Sequence, residues 1–354
     1  MSDVIQFKFK KFSKIVDDLC ILGRIPKYFR YVQKKTYTNY QHLFLLIAKE
    51  HTTYSYRTFI ESLYDSKIPQ YISLRKIPHF TTLQKFAGRL SAKILNKLVF
   101  STRKLFKNKG NILGTDSTGM ELDHASSHYC KRINREKPVK GFVNLNMICD
   151  VKNKNILVTK IRKKRRHDCK DFMPMFNKIK HLNFDFFVAD KGYDSEKNHS
   201  AVYESGKKPM ISLKNQKLPI HKTRGRYRKK TKKEFDFEIY GQRAITESVF
   251  SSLKRKYGAR MKARKYKTQK IELLFKILSY NIERAIRIAK YIMKYYLVFL
   301  QSHLNINLYI YLVISKSTME SSIWTEKFRP KTFEEVKGQK DIVEKVKAFV
   351  KQEN

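Results

Sequence analysis

The sequence predicts an α/β domain preceded by a helical region. Three observations carry that expectation. Residues 1–105 read as helical, with apolar spacing of helical period at 40–48 and 56–63. From residue 106 onward, apolar runs of strand length appear at 111–120, 141–149, 156–161 and 184–189. Amphipathic helical stretches alternate with and follow these strands, notably 240–254 and 271–292.

In the helical region, Pro78 is followed by Thr81 and Thr82, both good helix N-caps, and then by Leu83, Phe86 and Leu90 on one face. Two short helices and a capped third fit a helix-turn-helix with Gln84, Lys85 and Arg89 pointing outward. An ordinary helical bundle with a basic surface fits the same pattern.

The chain has 354 residues, enough for one large or two modest domains with a real core. Its 76 Lys and Arg against 31 Asp and Glu give a formal charge of +45. Such an excess repels itself unless the partner is a polyanion, and nucleic acid leads over a membrane surface or a ribosomal scaffold. With 21 Tyr and 24 Phe, the chain is no disordered basic tail. Cys20, Cys130, Cys149 and Cys169 show no CxxC pairing and read as free thiols of a reducing cytoplasm. Residues 5–13 are charged throughout and do not form a signal peptide.

The first strand, 111–120, carries Asp116 beside Ile112 and Leu113. An acid in such a strand is disfavoured unless it binds something. Strands 141–149 and 156–161 follow, joined by a turn at Lys152, Asn153 and Lys154. Asp168 can cap a helix through Phe172, Met175 and Ile179. The run 184–189 ends in Asp190-Lys-Gly-Tyr-Asp194, and an acid just after a buried strand stands where α/β sheets place site residues. A lone aspartate at any of these places is ordinarily a turn or cap residue. Three acids in the order strand, strand end, helix form a more specific pattern.

The third acid is Glu247, within a stretch read as one helix from Tyr240 to Lys254. At 100° per residue, Arg243 lies about 40° to one side of Glu247, Lys254 about 20° to that side and Tyr240 about 20° to the other. One carboxylate, two cations and a phenol on one stripe suit a metal ion beside a phosphate. An exposed face with an Arg–Glu pair at i,i+4 also accounts for them.

Tyr240-x2-Arg243-x3-Glu247-x6-Lys254 resembles the pattern around the last acid of the DDE transposases of bacterial and archaeal insertion sequences. Asp116 in Gly-Thr-Asp-Ser-Thr is similar to that family's first acid, and Asp190 in Ala-Asp-Lys-Gly-Tyr-Asp-Ser to its second. His167-Asp168 also looks like a recurring pair of the family. Pro78-His-Phe-Thr-Thr-Leu-Gln-Lys-Phe86 looks like the segment ahead of its catalytic domain, associated with terminal-repeat recognition.

The resemblance spans roughly residues 40–290. It implies an RNase H-like fold, a mixed five-stranded sheet flanked by helices, with Asp116, Asp190 and Glu247 converging as catalytic and metal-holding residues. It implies two Mg²⁺ ions, for which Mn²⁺ can substitute, because hard cations take oxygen ligands and relieve the repulsion of three carboxylates. Tyr240, Arg243 and Lys254 would then stand near the scissile phosphate. The activity implied is cleavage at the element's ends and joining to a target. A decayed transposase that only binds DNA is the alternative.

Residues 216–233 hold nine Lys or Arg, and residues 160–166 and 254–265 add to them. Arg226, Arg228, Lys229 and Lys230 are candidate contacts to the DNA backbone, or parts of a solvated loop. The family's larger members carry a β-rich insertion here, where this chain has a shorter, basic one.

Residues 295–315 lack Asp, Glu, Lys and Arg, but Gln301, Ser302, His303, Asn305 and Asn307 at their centre argue against a membrane span. Residues 319–354 carry a net charge of +1, leaving +44 for the rest. The stretch from Trp324 to Gln339 looks like the opening of the small subunit of archaeal replication factor C, but no phosphate-binding loop of the GxxxxGK[ST] type occurs in the chain.

The expected organisation is a helical, DNA end-binding region over 1–105, the catalytic domain over 106–293, an apolar connector over 294–318, and a truncated clamp-loader N-terminus over 319–354. The expected partner is double-stranded DNA, both element ends and target, bound by a homodimer without ATP and without a membrane. The expected location is the cytoplasm, on the nucleoid.

Overall fold

Strand β1 (Ile112–Leu122) forms because Ile112, Leu113 and Met120 are buried while Gly119 and Glu121 are exposed. It is the hinge of the sheet. On one side lie β2 (Gly141–Asp150) and then β3 (Asn155–Arg162), both antiparallel to their neighbours. On the other side lie β4 (Phe186–Ala189) and then β5 (Lys208–Ile211), both parallel to β1. The order is β3-β2-β1-β4-β5. A two-residue strand, β6 (Arg260–Met261), pairs with the far end of β1 at Glu121 and Leu122, so the mixed sheet has six strands where five were expected. The extra pairing begins with Glu121 N–H donating to Ala259 O, a backbone contact with no hydrophobic period to announce it.

The structure is a computed structural model. It describes residues 2–29, 35–122, 141–163 and 167–289. All lie in a compact unit spanning 1–290. The expectations for 294–318 and 319–354, and Cys130 and Trp324 with them, fall outside the described residues. Among these residues, no helix is long and apolar enough to cross a membrane.

Among the described residues, six α-helices precede the sheet: α1 (Ser2–Leu22), α2 (Asn39–Thr52), α3 (Tyr56–Tyr64), α4 (Ile68–Tyr71), α5 (Phe80–Arg89) and α6 (Ala92–Ser101). A reciprocal capping box between Thr38 and Gln41 starts α2. Helix α5 begins without a side-chain cap at His79, and the expected caps Thr81 and Thr82 lie inside it. Thr81 instead meets the ring of His79, Oγ1 to Nδ1 2.8 Å. Gln84, Lys85 and Arg89 are exposed.

One face of the sheet, with Met120, Leu145, Met147, Cys149 and Ile156, shares a single core with these helices. Helix α11 (Ala244–Tyr257) and helix α12, through residues 266–289, join that core with Val249, Phe250, Leu253, Leu274 and Leu278. The opposite face packs Leu113, Ile148, Leu157 and Val158 on Phe172 and Phe176 of α7 (Cys169–Phe176). Asp168 precedes α7 but makes no side-chain cap, and the helix stops at Phe176, short of Ile179.

The remaining helices are α8 (Glu196–Glu204), α9 (Arg226–Lys233) and α10 (Phe237–Gly241).

Candidate active site

Parallel pairing sets Thr115 of β1 beside Ala189 of β4. The next residue on each strand is an acid, so Asp116 and Asp190 leave that register side by side. β1 is where strand direction and connection reverse, the place where α/β sheets open a crevice.

Asp190 opens a short 3₁₀ turn, Lys191–Tyr193, and its carboxylate accepts from Lys191 N at 2.6 Å. The turn is anchored from below. Tyr193 is fully buried, and Cys169 Sγ donates to Gly192 O at 3.1 Å. A Cβ at Gly192 would stand 3.5 Å from Asp168 Oδ2, which puts the His167-Asp168 pair under the second acid's turn.

Asp194 closes the turn as a buried carboxylate. It accepts from His199 Nε2 at 3.2 Å, from Lys214 N at 2.9 Å, and from Arg228 Nε and Nη2 at 2.8 and 2.7 Å. Burial works to raise its pKa, but these donors outweigh it and hold the carboxyl well below the usual range.

Asp116 accepts from the N–H of Ser117 at 2.8 Å. Burial raises its carboxyl to about 6, against the pull of the Ser117 N–H and of Arg243, and the charges of Glu247 and Asp190 add to the rise. Both other acids therefore act on Asp116 through space.

Helix α11 brings Glu247 there by two contacts with β1. Gly114 has no side chain where Thr246 presses in: a Cβ on Gly114 would lie 2.5 Å from Thr246 Cγ2. Eight residues on, Lys254 Nζ donates to Thr118 Oγ1 at 2.7 Å. Eight residues of helix rise about 12 Å and four of strand about 13 Å. Helix and strand therefore run alongside each other in the same sense, with Asp116 halfway between the two contacts. Glu247, 57% exposed, pairs with Arg243 at 2.7 Å. That pairing takes up its charge, and among the described residues no three His, Cys, Asp or Glu side chains meet closely enough to hold a metal ion. Burial opposes the charge of Arg243, but the hydrogen bond to Glu247 prevails and raises its pKa.

The stretch 240–254 is not one helix. It breaks at Gln242 and Arg243, where Ile245 N and Thr246 N reach back three residues instead of four. A tighter turn changes the rotation per residue, so the stripe angle of Tyr240 does not carry across. Tyr240 packs its ring 5.2 Å from Phe235, in a small cluster with Ile112, Val188 and Met210, on the Arg243 side of the site.

The basic segment 216–233 is a folded element. Glu196 of α8 accepts from Tyr227 N and Arg228 N, at 2.8 and 3.1 Å, and so caps α9. Gly225 lets the carboxylate approach: its φ is +95°, and a Cβ there would run into Glu196. Arg228 is committed to Asp194. Lys230 lies 4.3 Å over the ring of Tyr203, and Arg226 lies 5.8 Å from that of Tyr227. Lys229 is the plainest candidate contact of the four. Arg162, in the other basic run, is likewise committed, forking the buried Asp171 at 2.7 Å.

Sequence reasoning missed Gly114, Thr118, Asp194 and Thr246. Gly114 had a signal, since a glycine inside a strand often marks a close approach.

Residues 107–282 match a family model described as the transposase DDE domain. No curated protein matches the chain. A solved structure described as a cryo-EM structure of a piggyBac transposase synaptic complex with hairpin DNA is similar over 80% of this chain and 75% of its own, with a TM-score of 0.40 and 12% identity. By that match, residues 107–282 are similar to a transposase DDE domain.

Proposed function

We propose that this chain is a DNA transposase that cleaves the ends of an insertion element and joins them to target DNA, with Asp116, Asp190 and Glu247 as its acids. The observation that carries the reading is the parallel pairing of Thr115 with Ala189, which brings Asp116 and Asp190 out together, with Glu247 and Arg243 near enough to act on the charge of Asp116. The strand order β3-β2-β1-β4-β5, with β1, β4 and β5 parallel, supports an RNase H-like fold.

DDE transposases use divalent metal ions, and the chemistry of the donors suits a hard cation: three carboxylates, of which Glu247 and Asp190 raise the pKa of Asp116. Asp116, Asp190 and Glu247 would hold the ions, with Mg²⁺ the expected metal and Mn²⁺ a substitute. Bound there, the metal supplies an activated oxygen nucleophile and charge relief for an in-line phosphoryl transfer. This chain's own residues do the rest. Arg243 and Lys254 offer cations to a phosphate lying along the Asp116 side of α11. Tyr240 supports Arg243, and the turn anchored at Asp194 fixes the direction of Asp190.

The partner is double-stranded DNA, which the +45 charge favours. A homodimer on DNA, independence from ATP and a place on the nucleoid belong to the same reading. Residues 319–354 are taken as a clamp-loader fragment fused to the element's gene.

The test is cleavage of an end-containing duplex. Asp116→Asn, Asp190→Asn and Glu247→Gln should each abolish cleavage and leave binding of that duplex within a few-fold. Full cleavage by any one of them removes that residue from the site, and full cleavage by all three ends the proposal.

A further inference from the structure

The outer edge of β3 is capped at two points by side chains. Asn281 pairs with Ile156 like a strand would, accepting from its N–H at 3.0 Å and donating to its carbonyl at 2.7 Å. Tyr266 Oη donates to Ile161 O at 3.0 Å, and Thr159 Oγ1 to Asn96 Oδ1 at 2.9 Å. Asn281 and Tyr266 thus occupy the edge at Ile156 and Ile161. What they leave open is a groove of about 500 Å³ between α6, β3 and α12.

Lys160, Arg162, Lys163, Lys178 and Lys270 line this groove, and no carboxylate does. Arg162 forks Asp171 beneath it. The other four present ammonium groups, and Lys270 is steadied 4.4 Å over the Tyr266 ring. Burial, and then the charge of Lys160, push the ammonium of Lys178 below its ordinary pKa. Cations crowded in this way repel one another until an anion enters.

The register fixes where the groove lies. Asp116 pairs with Met147, and Met147 with Thr159, which lines the groove; Lys160, the next residue, is in the row of Ser117 and on the other face of the sheet. Two strand spacings, about 10 Å, separate β3 and its groove from the strand of the first acid.

We propose that this groove seats the phosphodiester backbone of DNA whose scissile phosphate lies at Asp116, gripping phosphates that do not react. The inference rests on the reading of Asp116, Asp190 and Glu247 as the cleavage site, but its test does not use cleavage. The full chain is titrated with KCl while bound to a labelled random-sequence duplex. Lys160→Gln/Lys178→Gln is compared with Lys197→Gln/Lys208→Gln, which removes the same charge at the opposite edge of the sheet. The groove variant should lose about 0.9 of log–log salt slope for each phosphate contact removed, and the control far less. Equal slopes for the two variants would mean that overall charge alone is at work and would overturn the proposal. A photoreactive p-benzoylphenylalanine in place of Lys163, at the groove's rim, should crosslink to the duplex, and no crosslink in a DNA-binding chain counts against the groove. Loss of cleavage assignment at Asp116 would leave both readouts standing.

Discussion

Arg228 grips Asp194 with both ends of its fork, Nε to one carboxylate oxygen at 2.8 Å and Nη2 to the other at 2.7 Å. A residue that composition offers as a DNA contact is thereby joined to the turn that carries the second acid. Removing it leaves a buried carboxylate with His199 and one N–H. Arg228→Ala should cost roughly 3–5 kcal/mol of stability, whereas Lys229→Ala should stay within about 0.5. Urea denaturation without DNA decides it. Equal midpoints for the two variants would return Arg228 to the DNA-contact class.

Gly114 and Thr246 set the seat of α11 on β1. Gly114→Ala should push the helix outward and lower cleavage at least ten-fold, although neither residue touches DNA. Thr246→Ser removes the methyl but keeps the hydroxyl, which donates to Arg243 O at 2.7 Å. The double variant should recover most of the lost rate. A double variant as slow as Gly114→Ala would show that something other than this contact governs the helix.

The raised carboxyl of Asp116 makes folding depend on pH. Folded Asp116 titrates at about 6 against an ordinary 3.8, so between those values the folded chain holds a proton that the unfolded chain has released. Stability from this group is full below that window and is lost as pH rises through it. Asp116→Asn cannot ionise. It should melt above the parent on the alkaline side of the window and alongside it on the acid side. Mg²⁺ should raise the parent's melting temperature on the alkaline side and leave the Asn variant unmoved. A constant gap between parent and variant across the pH range would refute the assignment.

Deletion from Met319 onward should leave end cleavage unchanged. The resemblance of 324–339 to another protein's opening motivates it. Loss of activity on deletion would make the tail an integral part of the enzyme.

The sequence by itself determined four of the strands. Runs at 111–120, 141–149, 156–161 and 184–189 became β1 to β4 because alternation and apolar run length are local properties. Asp116 and Asp190 stood out because an acid at a buried strand needs a reason.

Tertiary structure alone decided which charges meet. Arg228 belongs to Asp194 and Lys254 to Thr118, across 34 and 136 residues of chain. No period in the sequence reports a partner that far away. The break at Gln242 and Arg243 has the same origin. Val249, Phe250 and Leu253 must enter the core beside Gly114, while Tyr240 packs with Phe235 in another cluster. One straight helix does not serve both. The pairing of charges and the bend of a helix are settled by burial, and burial is a property of the folded chain.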